Sequence, residues 1–545
     1  MTGAIPGAAP DPRHSRPDPA FSEPELQRAR GLVRRLQQRI VKAVQQGKWG
    51  KVRALQHLLT RSRSAKILAV LRVTENQGKN TPGVDRVLWS TPKQQRQAVT
   101  QLQQRGYRPL PLRRVYIPKK NRQLRPLGIP TMRDRAMQAL YLQALAPVAE
   151  TLADPHSYGF RPARSCADAL EQCHTVLTGR GAPEWILEAD IRACFDQIDH
   201  AWLLQHVPLE TPMLRKWLQA GYLEHGDWFP TEAGTPQGGV ISPTLANLAL
   251  DGLQDYLQQA FPKRKGRSLK VNLVRYADDF IITGASRELL EQEVRPLVTE
   301  FLTVRGLVLA PEKTHVTHVT DGFDFLGQHV RRYGRKVLTK PSTSAVKTFY
   351  AGLRQVVRRG LHLDPGVLIP ILNAKIQGWC NYHCHASSKA TFQRLDSLIF
   401  RLLWQWARRR HPQKNRRWLA QRYFTTVGGD HWVFNGWDHT ASGSRQVFLV
   451  RASRTRIIRH IKVRKDLNVY DPGWQEYLDH RTAPGFAGRK ARGIPALRGA
   501  IGHETAALLR QAGSQNQHTP DGTGSQLAAC PEDSGTRSQG LSRMR

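Results

Sequence analysis

Three carboxylates stand where phosphoryl-transfer chemistry would need them. Asp278 and Asp279 occupy Tyr276-Ala277-Asp278-Asp279, a tight turn between the apolar runs VNLVRY and FIIT. Asp190 ends an alternating segment: Trp185, Leu187, Ala189 and Ile191 point one way, and Ile186, Glu188 and Asp190 the other. That is the period of a strand. Acids in a hairpin turn are commonly nothing more than turn chemistry, since Asp favours such positions. A strand-borne acid converging with two turn-borne acids at one sheet edge is different. Such a cluster repels itself unless divalent cations lie between its members, and oxygen-only ligands suit Mg²⁺. Two Mg²⁺ ions about 3.5–4 Å apart activate a 3′-hydroxyl and stabilise a leaving pyrophosphate.

Neighbouring residues narrow the chemistry. Phe195 follows Asp190 in DIRACFD, and a ring just past the strand end fills the space a ribose 2′-hydroxyl would occupy. The alternative for Phe195 is an ordinary core position; the pocket reading predicts deoxynucleotide selection. GTPQGGVISPTLANL, 234–248, is a glycine loop opening a helix. Gly238 and Gly239 permit close backbone approach to a nucleotide or template base, and the Gln237 amide can bond on either side. A glycine turn alone is as readily structural as functional; beside the acids it reads as a nucleotide pocket.

The elements that must position these groups are legible in outline. Residues 1–22 are rich in Pro, Gly, Ala and Asp and read as a disordered lead-in. From Glu25, Leu26, Ala29, Val33, Leu36, Ile40 and Val44 fall on one helical face. A second basic helix is expected from Val52 to Val70, ending before the turn-rich NQGKNTPGVD. RRVYIPKKNRQLRPLGIP reads as two short strands around a basic hairpin, with Pro118 and Pro126 at their ends. Residues 133–153 and 165–178 are helical by composition. Strands, helices and hairpins together indicate an α+β domain. After about residue 336 strands mostly disappear. There Phe392, Leu395, Ile399, Leu402 and Trp406 form an apolar helical stripe, with Arg394, Arg401 and Arg408 on another face. The last 45 residues are polar and Gly/Ser-rich and are expected to be largely disordered, and the sequence has no internal repeat.

Composition names the class of partner. The chain holds 82 Lys+Arg against 43 Asp+Glu, a formal charge of +39. That excess is beyond what solubility requires and points to a polyanion, nucleic acid before membrane. No apolar run approaches the roughly 20 residues of a membrane span. The N-terminus fits neither a signal nor a transit peptide, and six cysteines without a disulfide framework suit a reducing, cytoplasmic setting. Basic runs interleaved with Trp404, Trp406 and Trp418 suit structured RNA and single strands. CNYHCH, residues 380–385, lacks the second ligand pair of a zinc site. Trp379 and Tyr382 are read instead as packing residues or RNA-stacking groups, and His315 and His318 as solvent-facing strand residues.

Taken in order, RPLGIPTMRDR, SYGFRPARS, the Asp190-to-Phe195 segment, TPQGGVISP, YADD, the EKT of Glu312–Thr314 and the FLG of Phe325–Gly327 resemble the consecutive motifs of bacterial group II intron reverse transcriptases. The similarity reaches upstream to NQGKNTPGVD and downstream to GWCNYH and RRRHPQKNRRW, covering roughly residues 25–490. The resemblance implies an α+β right-hand polymerase: an N-terminal extension with fingers over 25–185, a palm over 186–335, an α-helical thumb or maturase domain over 336–440 and a small basic DNA-binding region over 441–490. It implies that Asp190, Asp278 and Asp279 hold two Mg²⁺ ions, with Ile191 adding a backbone carbonyl. Lys119 and Arg125 would cover the incoming triphosphate, and Phe195, Gln237 and Gly239 would line the nucleotide pocket. Lys313 would touch the primer or template backbone, while Arg394, Arg401 and Arg408 would bind RNA. The implied function is a maturase that binds intron RNA, assists its splicing and copies it from dNTPs at a DNA target during retrohoming. A domesticated relative in repair or defence is the nearest rival, and a splicing-only RNA-binding maturase another. Many relatives end in an H-N-H endonuclease with Cys-x-x-Cys pairs; residues 491–545 offer only His503, His518 and Cys530, so that nuclease is expected to be lost. The oligomeric state is left open.

Overall fold

The computed structural model describes residues 19–118, 124–262, 269–440 and 443–482. Lys119, residues 1–18 of the lead-in and the tail 491–545 lie outside the described residues. Serine 22 caps α1 (Glu23–Gln45) by accepting from the Glu25 amide, and the stripe from Leu26 to Val44 is buried along it. The single basic helix expected next is two, α2 (Trp49–Arg61) and α3 (Arg63–Glu75), separated by an extended Ser62. An unbroken helix over 49–75 would run roughly 40 Å, longer than the roughly 31 Å of α5 (Met132–Leu152), against which both halves pack. After α4 (Pro92–Gln101) come the strands of the basic hairpin, β1 (Leu112–Pro118) and β2 (Leu124–Ile129). Pro126 lies inside β2, opposite Tyr116, and not at its end. β2 is an edge strand, where a missing N–H faces no neighbour.

α5 (Met132–Leu152) is the axis of the largest core, buried on nearly every side from Met132 to Val148. α6 (Cys166–Leu177) leads to β3 (Trp185–Asp190), followed by the short helices α7 (Cys194–Gln197), α8 (His200–His206) and α9 (Thr211–Leu218). β4 (Tyr222–Glu224) and β5 (Asp227–Phe229) extend the basic hairpin into a sheet ordered β2-β1-β4-β5. Helices α10 (Ser242–Leu250) and α11 (Leu253–Ala260) precede the hairpin β6 (Asn272–Tyr276) and β7 (Asp279–Gly284). After α12 (Arg295–Thr303), β8 (His315–His318) completes an antiparallel sheet ordered β6-β7-β3-β8.

Both faces of this palm sheet are covered. Leu187, Ala189, Leu273, Phe280 and Ile282 enter the core of α5, while Ile186, Val274 and Ile281 enter a second cluster with Ala169, Cys173, Phe323 and Phe325. That double burial is why VNLV and FIIT read as continuous apolar runs. The second cluster is extended by β9 (Phe323–Phe325), β10 (Gln328–Tyr333) and β11 (Lys336–Pro341).

Four helices follow: α13 (Thr343–Arg359), α14 (Pro365–His383), α15 (Lys389–Arg410) and α16 (Arg416–Tyr423). Here the expectation that strands mostly disappear fails. β12 (Phe424–Val427), β13 (Asp430–Thr440) and β14 (Gly443–Phe448) form an antiparallel sheet packed on α14 and sharing its core. The contact is backbone on backbone: a Cβ at Gly366 would lie 1.9 Å from the Trp437 carbonyl oxygen, and one at Gly436 2.5 Å from Pro365 Cβ. Glycine carries that packing, so no apolar alternation announces it. The hairpin β13–β14 also straddles residue 440.

The remaining chain runs back over the palm to α17 (Gln475–Thr482). Val463 and Leu467 join the second cluster, and Asp168 of α6, 1% exposed, receives His460 (2.8 Å), Arg481 (3.0 Å) and the Val463 amide (2.8 Å). Burial works to raise the Asp168 carboxyl, yet His460, Ser165 and the Val463 amide hold it below its ordinary value. No helix among the described residues is long and apolar enough to cross a membrane.

Candidate active site

Sheet register brings the acids together. Asp190, the last residue of β3, is paired with Asp279, the first of β7, and Asp279 also faces Tyr276 across the β6–β7 hairpin. Asp278 sits in the turn itself, after Ala277 in the left-handed region at φ +60°. The turn is braced from behind. A Cβ at Gly159 would lie 2.3 Å from the Ala277 nitrogen, so only glycine fits there. The SYGF segment runs alongside β6, the Tyr158 amide donating to the Arg275 carbonyl at 2.9 Å and the Arg275 amide to the His156 carbonyl at 3.0 Å.

The electrostatics are those of acids crowded out of water. Burial first, then Asp190 and Asp278, push the Asp279 carboxyl up to about 7. Burial and Asp190 raise Asp278 as well, while Arg125 and Lys313 pull it down. Arg125, exposed on β2, is thus close enough for its charge to be felt at the turn. Lys313 was expected on the primer or template backbone; here its ammonium is bonded to Asp190 Oδ2, and that bond raises the lysine. No group of three or more His, Cys, Asp or Glu side chains is drawn together as a metal cage among the described residues, and Asp190's outer oxygen is engaged by Lys313. The three carboxylates nevertheless form an oxygen donor set whose own repulsion favours a bound divalent cation. Ile191 is 2% exposed and bridges Leu309, which fixes the backbone just beyond Asp190.

Of the residues expected around a nucleotide, Phe195 and the glycine loop 234–239 are joined by hydrogen bonds just beyond the end of β3. Ala193, left-handed at φ +45°, starts α7 and sets the half-buried Phe195 edge-on to Phe160 at 5.9 Å. Gly234 is left-handed against the Phe195 carbonyl, and the Thr235 amide donates to that carbonyl at 2.6 Å. Gln237 Nε2 donates to Asp196 at 3.1 Å, and its carbonyl accepts from Gly128 of β2, tying the glycine loop to the basic hairpin. Gly238 is left-handed and exposed. What approaches Gly239 closely is the chain itself, Ser242 Oγ and the Gln138 amide oxygen. Arg394, Arg401 and Arg408 lie elsewhere, exposed on α15.

Sequence reasoning missed the ionic frame under the β6–β7 hairpin. Arg275, fully buried in β6, is bonded to Asp251 and to Asn247 (3.2 Å) and reaches the Ala277 carbonyl at 3.4 Å. Burial raises the Asp251 carboxyl against the pull of Arg275. Nearby, Glu150 receives Arg161 at 2.8 Å and Arg164 at 2.7 Å. The available signal was a charged residue inside an apolar strand, Arg275 in VNLVRY. In the GWCNYH segment, Tyr382 donates to the Leu326 carbonyl of FLG at 2.7 Å, and His383, buried, pairs with Gln328 at 2.7 Å. Cys384 Sγ donates to the Asn381 carbonyl. His315 bonds Glu188 at 3.1 Å, and His318, expected in solvent, lies half-buried against Trp185.

Residues 117–330 match the family described as reverse transcriptase (RNA-dependent DNA polymerase), 24–102 the N-terminal domain of reverse transcriptase, and 346–424 the group II intron maturase-specific domain. The chain is 37% identical to protein YkfC of Escherichia coli K12, covering 52% of this chain and 86% of that protein. It is 28% identical to the group II intron-encoded protein LtrA of Lactococcus lactis subsp. cremoris, covering 59% and 69%. A solved telomerase from Candida albicans, in complex with a telomeric RNA fragment, aligns at TM-score 0.34 and 12% identity, over 59% of this chain and 65% of that one.

Proposed function

Because this chain belongs to the group II intron-encoded reverse transcriptase/maturase family, we propose that its palm edge copies intron RNA into DNA through Asp190, Asp278 and Asp279. The observation that carries the assignment is the register of β3 against β7, which sets Asp190 opposite Asp279 with Asp278 one residue away in the turn. Two Mg²⁺ ions held by these carboxylates and the Ile191 carbonyl would make a primer 3′-hydroxyl nucleophilic and offset charge on the departing pyrophosphate. Arg125, with Lys119, covers the triphosphate from the basic hairpin. Phe195 closes the space beside the sugar, so a 2′-hydroxyl meets the ring edge. Gln237 and Gly239 belong to the loop that frames the nascent pair. Lys313 leaves Asp190 for a phosphate when substrate is bound, since its ammonium stands mostly in solvent and can exchange one anionic partner for another.

The thumb supplies the second task. Arg394, Arg401 and Arg408 run along the exposed face of α15 and hold intron RNA by its phosphates while the RNA folds for splicing. The basic segment beyond β14 engages target DNA. The test is primer extension on an RNA template with dNTPs and Mg²⁺, together with binding to an intron RNA. Wild type extends the primer and Asp278→Ala binds RNA equally but does not extend it. Extension by Asp278→Ala above a few per cent of wild type would place the chemistry elsewhere.

A further inference from the structure

The helical bundle after residue 343 carries a cleft that the polymerase chemistry does not use. It lies between α15 and the sheet β12–β14 and measures about 450 Å³, within the usual range of small-ligand sites. Ile399, Leu403, Phe424 and Phe434 form its buried floor. Its open wall is Trp432, 54% exposed, with Phe400 at 6.1 Å and Trp404 at 6.3 Å between ring centroids. Trp432 stands in the left-handed region at φ +60°. For a bulky residue that conformation is strained, and strain of this kind collects at binding sites. A register shift at Thr425/Val427 in the facing strand accompanies it. The chain therefore holds an indole out of the core, at a conformational cost, over an apolar trough.

We propose that this cleft captures an unpaired nucleobase of single-stranded RNA. A base needs flat rings to stack on and cations to meet its phosphate, and sequence-specific RNA contacts favour such splayed bases. Arg401 lines the cleft and is the middle member of the exposed row Arg394, Arg401 and Arg408, whose members recur roughly every 10 Å along the helix. Arg451 stands on the opposite rim, fixed to Asp430 at 3.1 Å. A polyanion drawn along the arginine row passes the mouth of the cleft, and a molecule of formal charge +39 selects polyanions over other aromatic partners. The site goes beyond the palm reading and is testable apart from it.

The experiment compares a fluorescent oligoribonucleotide with the same strand carrying abasic residues at its centre, by anisotropy at fixed salt. Wild type binds the intact strand about fivefold or more tighter, the scale of one stacked base. Trp432→Gly, in which glycine adopts the left-handed φ freely, brings that ratio close to one, and Trp432→Phe restores most of it. Primer extension stays at the wild-type rate in both. The proposal is overturned if the ratio survives in Trp432→Gly, or if wild type shows no preference for the intact strand. Equal loss of both strands in Trp432→Gly also overturns it, because the ring then acts only on structure. So does wild-type self-association in sedimentation that Trp432→Gly abolishes, since the cleft would then receive a second copy of the chain.

Discussion

At the scale of single residues, the palm edge is a set of groups held against their ordinary preferences. Asp279 is driven up to about 7 by burial and by Asp190 and Asp278, a standing demand for positive charge that Lys313 answers at Asp190 in this state. On the proposed reading, Phe195 selects by volume. Phe195→Ala is therefore predicted to admit ribonucleotides at least about tenfold more readily while deoxynucleotide incorporation falls little, a loss of steric discrimination worth about 1–3 kcal/mol. Steady-state incorporation ratios for a matched dNTP and rNTP measure this, and an unchanged ratio makes Phe195 a core residue. The placement of these groups was readable in the sequence because each acid and ring sits in a local pattern: an alternating strand, a two-acid turn, an aromatic just past a strand end. The engagement of Lys313 with Asp190 was not, since it depends on the turn at Pro311–Lys313 returning beside β3 from 123 residues away.

At the scale of elements, the hairpin β6–β7 is only as well placed as its support. Arg275 links β6 to Asp251 and Asn247 and touches the turn at Ala277. Arg275→Met leaves the Asp251 carboxyl buried without its partner and is predicted to cost about 3–5 kcal/mol. Adding Asp251→Asn should return part of that loss, which urea midpoints of the single and double variants will read; a strictly additive double variant would sever the link. The thumb is anchored differently. His383 is 2% exposed, pairs with Gln328, and burial pushes its imidazole from 6.5 down to about 4. Its protonated form is disfavoured only in the folded state, so the unfolded chain binds more protons between pH 6.5 and 4. Stability present above pH 6.5 is lost as pH falls toward 4, by up to about 2–3 kcal/mol from this group. In His383→Asn that portion of the pH dependence should vanish, as the difference between the two unfolding series; identical series would assign the acid sensitivity to other groups. Helices such as α1 and α15 were legible because their buried stripes recur at helical spacing. The sheet β12–β14 was not, because Gly366 and Gly436 bring it onto α14 by backbone contact.

At the scale of the whole molecule, the sequence carries a formal charge of +39, with Arg394, Arg401 and Arg408 exposed along α15. Association with RNA should therefore depend steeply on salt. Reversing Arg394, Arg401 and Arg408 together to Glu is predicted to weaken intron RNA binding and to flatten log K against log salt by about 2–3 in slope, close to one unit per lost phosphate contact. An unaltered slope would reduce the row to a solvated face. Composition made the polyanion legible from the start, and the ordered motifs made the palm legible. The return of residues 456–482 across α6 to Asp168 was illegible, because its partners are almost 300 residues apart. The central claim is that one carboxylate from β3 and two from the β6–β7 turn act as a single phosphoryl-transfer site on an RNA template. It is tested most directly by single-nucleotide incorporation in Asp190→Asn, Asp278→Asn and Asp279→Asn, with RNA affinity measured on the same preparations. Each substitution keeps the shape and removes one charge, and each is predicted to slow incorporation at least about a hundredfold with RNA affinity unchanged. A variant that keeps more than about a tenth of the wild-type rate would contradict the shared site.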